Sequence, residues 1–378
     1  MSEQRSNPDA RTAALPDSRL VESAPAELRG QEKEHQRPMP QALATISLDA
    51  DQNPTGVAVD PEGNLVYVAS SNLGNTTNVL WVIDGVTNRV LSSFAVGASP
   101  LGVAVLRGFY EARPHTFLSV NHVFVACSAD DTLWVFDFSN TSVSSAGQSV
   151  SLGAGSQPRF VAVDWSGRDP SIYVTNYNAG TVAVIDGLNP YAGVKATITV
   201  PPMNPPPTGP APWANPHGIA VNPTTGRIYV GDQQDGGLFE FDRATHSVVA
   251  KHSFSKIEFL SGLAANFTTG RIYAGRSSAP FTTSRIYMTD GTRGPGGQLN
   301  LQPITVEASI TQVAVNVRTN RIYATDGLRR VVVIDGTTNN VLGNAPVGPD
   351  PLGIAVNDRT NRVYVANSTS NTVSVLAG

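Results

Sequence analysis

Seven recurrences of one phrase, four strand-like runs in each but the last, and one unmatched strand ahead of the first predict an all-β fold. The expected architecture is a seven-bladed β-propeller of four-stranded blades, closed by an N-terminal strand that completes the last blade. The phrase is cleanest over residues 351–378, PLGIAVNDRTNRVYVANSTSNTVSVLAG. Its apolar runs, GIAV, RVYVAN and TVSVL, are separated by NDRTN and STSN. Alternating Val, Ile and Tyr bounded by Asn, Asp and Thr reads as short antiparallel strands. No helical period survives the turns.

Residues 42–48 (ALATISL) alternate apolar and polar positions and form the unmatched strand. The first copy is PTGVAVDPEGNLVYVAS followed by TNVLWVIDGVTNRVLSSFAVG. The second opens with PLGVAV at Pro100, is interrupted over residues 107–120, and resumes as HVFVACSADDTLWVFD. Later copies open with PRFVAV, PHGIAV, SGLAAN, TQVAVN and PLGIAV. The shared position falls at Gly56, Gly102, Phe160, Gly218, Gly262, Gln312 and Gly353, at intervals of 41 to 58 residues. Each copy offers four strands, A to D from the channel outward, except the last, which has three. Residues 42–48 supply the missing strand, and closing the ring removes the open edges a linear array would leave.

Composition narrows the function classes. The chain has 378 residues, 15% of them charged, with a net charge of −4. That is neither a disordered composition nor the basic footprint of a nucleic-acid partner. A single cysteine, Cys127, excludes an internal disulfide framework. Residues 1–41 are polar and Pro-punctuated, with no apolar signal core, and no stretch reaches membrane-spanning length. The expectation is a disordered leader over residues 1–41, a propeller over residues 42–378, a cytoplasmic location and no membrane partner. His115, His122, His246 and His252 are scattered rather than spaced as ligands, so no metal and no cofactor are expected.

The phrases carry a family resemblance. The string YVTN stands at residues 173–176, variants of it close the second strand of each copy, and VIDG recurs at Val82, Val184 and Val333. Over residues 42–378 the chain resembles the YVTN-repeat (YncE-like) β-propeller family. The resemblance implies the fold. It implies no particular activity, because that family and its lactonase-like relatives range from surface and binding proteins to enzymes. No catalytic motif is matched.

In such a ring the start of strand A and the end of strand B share one face, the channel mouth. The residues before the aligned position are Thr55, Leu101, Arg159, His217, Ser261, Thr311 and Leu352. Strand B ends at Ser70, Cys127, Asn176, Asp232, Arg276, Asp326 and Asn367. Counting outward from the turn between Asn222 and Arg227 sets His217 across from Asp232. The same count pairs Thr55 with Ser70, Arg159 with Asn176, Ser261 with Arg276, Thr311 with Asp326, and Leu352 with Asn367. Charge gathers in copies three to six. Two insertions, residues 201–215 and 277–284, reach the same face and bring Trp213 and Phe281. Residues 107–120 (a loop between A and B) and 292–300 belong to the opposite face.

These residues suit a small acidic or aromatic metabolite. Arg159 and Arg276, beside Asn176, would bind a carboxylate or phosphate. His217, raised in pKa by Asp232, would move a proton, with Asp326 as a second acid/base or an ammonium partner. Trp213 and Phe281 would cover an apolar part of the ligand. If catalytic, the chemistry would be lactone-type hydrolysis or a strictosidine-synthase-like condensation. Against this stands an ordinary reading, since Asp and Asn after a strand commonly cap turns. Cys127 has no base opposite it and reads as a passive thiol. The alternative function is a non-catalytic platform for a protein partner, docking at the mouth or on Phe109, Tyr110 and Phe117 of the opposite face.

Overall fold

The computed structural model describes residues 37–49, 51–72, 77–113, 116–139, 146–203, 214–234, 236–254, 258–278 and 284–378. Most of the expected leader therefore lies outside the described residues. Pro38–Gly378 is one compact unit, built from seven antiparallel sheets of four strands each. In blades 1 to 6 the strands follow chain order from A to D, as a meander.

Strand A is Gln52–Asp60, Pro100–Arg113, Pro158–Asp164, Pro216–Asn222, Glu258–Asn266, Gln312–Asn316 and Pro351–Asn357 in blades 1 to 7. Strand B is Leu65–Asn72, Thr116–Cys127, Ser171–Asn176, Arg227–Asp232, Arg271–Ser278, Arg321–Thr325 and Arg362–Asn367. Blade 7 is completed by Gln41–Ser47, which pairs antiparallel with Thr372–Ala377. Ile46 and Leu48 follow this pairing into the core. The expected closure is the one observed.

The core consists of seven apolar clusters, and each is shared by two adjacent blades. Burial between blades rather than within them explains the repeat phrase: strand B presents buried side chains to both neighbours. Tyr67, Phe124, Tyr173, Tyr229, Tyr273, Tyr323 and Tyr364 occupy one equivalent position of strand B and are essentially inaccessible. Two of these tyrosines also reach the next blade, Tyr273 donating to the Gly336 carbonyl at 3.4 Å and Tyr364 to that of Gly85 at 3.5 Å.

The far face is laced by amides. Asn222 Nδ2 donates to the Gly270 carbonyl at 3.2 Å. Asn266, Asn316 and Asn357 reach Oδ1 of Asn320, Asn361 and Asn64 at 2.7, 2.7 and 2.8 Å. These bonds run from blade 4 through 5, 6 and 7 to blade 1. Where the phrase has Asp instead, an arginine answers it: Arg107 pairs with Asp60, and Arg243 with Asp164 at 2.8 Å.

Residues 107–120 depart from the loop expected there. Strands A and B of blade 2 run on as a paired ribbon, with Gly108 opposite Val120 and Tyr110 opposite Leu118. The ribbon persists because Tyr110 and Val120 pack beside Leu106 in the junction with blade 3. Among the described residues no helix is long and apolar enough to cross a membrane.

Candidate functional site: the channel mouth

The register at the mouth is set by a β-bulge. In six blades strand A slips by one residue against strand B at its start. In blade 4, Pro216 pairs with Asp232 and Ile219 with Val230. One extra residue on A therefore lies between these pairs. Proline tolerates this place because a bulge relieves it of donating to the ladder. The proline takes the seat opposite the end of B, and the residue after it faces the channel.

This corrects the expected pairing. His217 is not across from Asp232, nor Arg159 from Asn176, because Pro158 pairs with Asn176. Pro54 takes the place opposite Ser70, Leu260 that opposite Arg276, and Pro351 that opposite Asn367. In blade 6 Thr311 meets Thr325, with 2.7 Å between the two hydroxyls, rather than Asp326.

The bulge separates the two rings. Thr55, Leu101, Arg159, His217, Ser261, Thr311 and Leu352 all line one cavity of about 580 Å³. Ser70, Cys127, Asn176, Asp232, Arg276, Asp326 and Asn367 are all buried within the blades and do not line it. Asp232 Oδ1 accepts from the backbone N–H groups of Asn215 at 2.7 Å and Gln234 at 3.0 Å. Asp326 Oδ1 accepts from the N–H groups of Leu328, Arg329 and Arg330 at 2.9, 3.1 and 2.9 Å. Its Oδ2 accepts from Arg330 Nε at 2.6 Å.

The remaining members of that ring are also engaged within their blades. Asn176 Nδ2 donates to Thr181 Oγ1 at 3.2 Å. Arg276 Nη1 donates to the Tyr287 hydroxyl at 2.7 Å, and its guanidinium lies over the rings of Tyr287 and Phe254. Burial lowers the Arg276 pKa. Burial also pushes the Cys127 thiol well up. Trp213 and Phe281 lie outside the described residues.

The channel ring has a common structural task. Oγ1 of Thr55, Oγ of Ser261 and Oγ1 of Thr311 donate to the carbonyls of Pro100, Ile310 and Pro351 at 2.7, 2.7 and 2.9 Å. Each bond ties one blade to the next. His217 does the same with Nδ1, which lies 3.0 Å from the Ser261 carbonyl. A carbonyl only accepts, so the proton resides on Nδ1 and the neutral ring offers Nε2 as an acceptor.

Desolvation depresses the His217 pKa to about 4; the Arg159 charge adds to this and the Ser261 carbonyl opposes it. The shift is opposite to the one expected from an Asp232 partner. The aligned glycines let the strands converge here: a Cβ on Gly56 would lie 1.9 Å from the Leu101 carbonyl oxygen, and one on Gly218 2.4 Å from that of Ser261.

Blade 3 carries Phe160 in place of that glycine, and its ring lies 4.8 Å from the His217 ring. Beside it the Arg159 guanidinium lies 4.7 Å over the Tyr177 ring. Tyr177 is fixed at both backbone ends, its N–H donating to the Gln157 carbonyl at 3.1 Å and its carbonyl accepting from Asn215 Nδ2 at 3.0 Å. Two lining side chains have a buried polar atom with no hydrogen-bond partner among the described residues: Nε of Arg159 and Oε1 of Gln312. The rest of the wall is largely apolar, with Val57, Val103, Val161, Ile219, Leu263 and Ile354 in register around it, and Gln233 and Phe259 at the rim.

Tyr177, Gln233, Phe259 and Gln312 were not singled out by sequence. The signal for the bulge was present, since proline recurs two residues ahead of the aligned glycine or its replacement in five copies.

No family model matches the sequence, and no curated protein matches it. Solved structures do. The Kuenenia stuttgartiensis hydrazine synthase superposes with a TM-score of 0.67 at 15% identity, covering 88% of this chain and 97% of that one. The Cps50 (Swd1) β-propeller domain of Myceliophteria thermophila gives 0.63 at 9% identity, covering 90% and 100%. At such identities the likeness shows the fold alone. The chain is a seven-bladed β-propeller, and the YVTN-type resemblance of its phrases carries to the fold and no further.

Proposed function

We propose that this propeller binds a small acidic metabolite at the channel mouth, with Arg159 holding the anionic group. One observation carries the reading. Arg159 is the permanent charge among the described lining residues, it is oriented by Tyr177, and its buried Nε has no acceptor among the described residues. A buried donor left unsatisfied costs about 1–3 kcal/mol, and a planar carboxylate would satisfy it in the geometry guanidinium prefers. The cavity volume falls in the range of small-molecule sites.

The reading is of binding rather than turnover. An acid/base catalyst works best with a pKa near the working pH. His217 is held near 4, and Asp232 and Asp326 are spent on turns. Lactone hydrolysis or a condensation would need a base the described mouth does not offer.

Isothermal titration against a panel of metabolite acids tests this. Arg159→Gln should weaken an acid's binding roughly tenfold or more, the worth of a charge-assisted bond. An acid that binds equally well to the variant would overturn the assignment. Protein docking on the far face has one observation in its favour, Phe109, 77% exposed on the blade 2 ribbon. Phe109→Ser should leave acid binding unchanged and abolish a partner's binding there.

A further inference from the structure

The two unsatisfied atoms of the mouth make different demands and come from opposite sides of it. Arg159 is the second residue of strand A in blade 3, and Gln312 opens strand A of blade 6. Blades three apart are as far from each other as a seven-membered ring permits. Arg159 Nε is a donor and requires an acceptor. Gln312 Oε1 is an acceptor packed against Gly262, where an added Cβ would lie 2.0 Å from it. An amide can present oxygen or N–H from the same place by turning over, and a hydroxyl answers both. A second carboxylate would answer only one of the two orientations, and so would an ammonium group.

Between these poles the wall belongs to the V-A-V, I-A-V and L-A-A runs of strand A. Val57, Val103, Val161 and Leu263 line the cavity. No carboxylate lines it among the described residues, so an ammonium group has no counter-charge there, contrary to the role expected of Asp326. Dicarboxylates would bring a second charge against this apolar wall, which is costly when unpaired.

We infer that the ligand of this mouth is a hydroxylated monocarboxylate with an apolar, preferably aromatic, body: the carboxylate on Arg159, the hydroxyl on the Gln312 amide, and the body across the channel between them. The inference rests on the acid-binding reading above and adds the far end of the ligand to it. Phe160 and His217, their rings tilted at 60° to each other beside Arg159, form the aromatic part of the wall against which such a body would pack.

The test is titration of the full chain with para-hydroxyphenylpropionate, phenylpropionate, succinate and tyramine. Para-hydroxyphenylpropionate should bind about tenfold more tightly than phenylpropionate, as expected for one hydrogen bond to a buried polar group. That preference should vanish in Gln312→Leu, while Arg159→Gln should weaken both acids alike. Succinate and tyramine should bind more weakly than either acid. If phenylpropionate binds the native protein as tightly as its hydroxylated form, or if succinate exceeds both, the ligand class is wrong while the acid site stands. If no acid binds, or Arg159→Gln leaves both unchanged, the acid site itself falls.

Discussion

His217 and Ser261 occupy the same position in adjacent blades, and Nδ1–H of the histidine donates to the carbonyl of the serine at 3.0 Å. The bond needs no charge on the ring, and burial keeps the ring neutral, with a pKa of about 4. An unfolded histidine titrates near 6.5. Between these values the unfolded chain binds more protons, so this residue makes stability rise with pH and fall as the pH drops from about 6.5 towards 4. His217→Asn keeps a donor near Nδ1 and removes the titration. Denaturant melts at neutral pH and near pH 5 should show the native protein losing more stability than the variant. Equal losses would mean that the ring charges freely in the folded state.

Asp326 offers a direct contrast between structural and functional roles. Its carboxylate accepts three backbone N–H bonds and one from Arg330 Nε. Asp326→Ala leaves these part-buried donors without their acceptor and should cost about 1–3 kcal/mol of stability. Acid binding at the mouth should not change. A variant that melts normally yet fails to bind would restore the catalytic or binding role that the sequence suggested for this residue.

Tyr177 acts through Arg159. The guanidinium lies 4.7 Å above its ring, and such stacking contributes about 0.5–2 kcal/mol. Tyr177→Leu should weaken acid binding by a few-fold to about thirtyfold, with little loss in melting temperature, whereas Tyr177→Phe should retain most of it. The comparison is made by titration with the same acid. Equal losses in both variants would assign the effect to the hydroxyl instead.

Gly56 tests the convergence of the inner strands. A Cβ there would meet the Leu101 carbonyl oxygen at 1.9 Å, and a clash with backbone leaves little room to adjust. Gly56→Ala should destabilise by about 2–4 kcal/mol. Gly153→Ala, where the added carbon meets nothing within 4 Å, should cost only about 1–2 kcal/mol for its left-handed backbone. A chemical-denaturation series on the two variants checks the ranking.

How far the sequence could be read follows from the same residues. The blades and the closing strand were legible because strand period, turn residues and the repeat each point to the same arrangement. The channel ring from Thr55 to Leu352 was legible for the same reason: alignment by the glycine finds equivalent positions whatever their side chains. The partner of His217 was not. A register counted from the turn assumes an unbroken ladder, and a single inserted residue sends Asp232 into the blade and leaves His217 in the channel. Pro54, Pro100, Pro158, Pro216 and Pro351 mark that insertion, since proline in a paired strand favours a bulge. Gln312 and Tyr177 escaped notice because their significance is a matter of what surrounds them, an unanswered amide and a platform under a cation.

The pairing of Gln41–Ser47 with Thr372–Ala377 has a consequence for how the chain is made. Every other sheet joins neighbours in sequence, so blades 1 to 6 can assemble in order as they emerge during synthesis. The seventh cannot. The earliest strand must wait, with its ladder groups unanswered, until the last one arrives. Pairing across so long a stretch of chain is slow to form, and until it forms the ring has two raw edges on which another molecule's strand could settle. The clasp that completes the seventh blade is thus also its latest event, and the interval before it shuts is when the nascent chain is most open to misassembly.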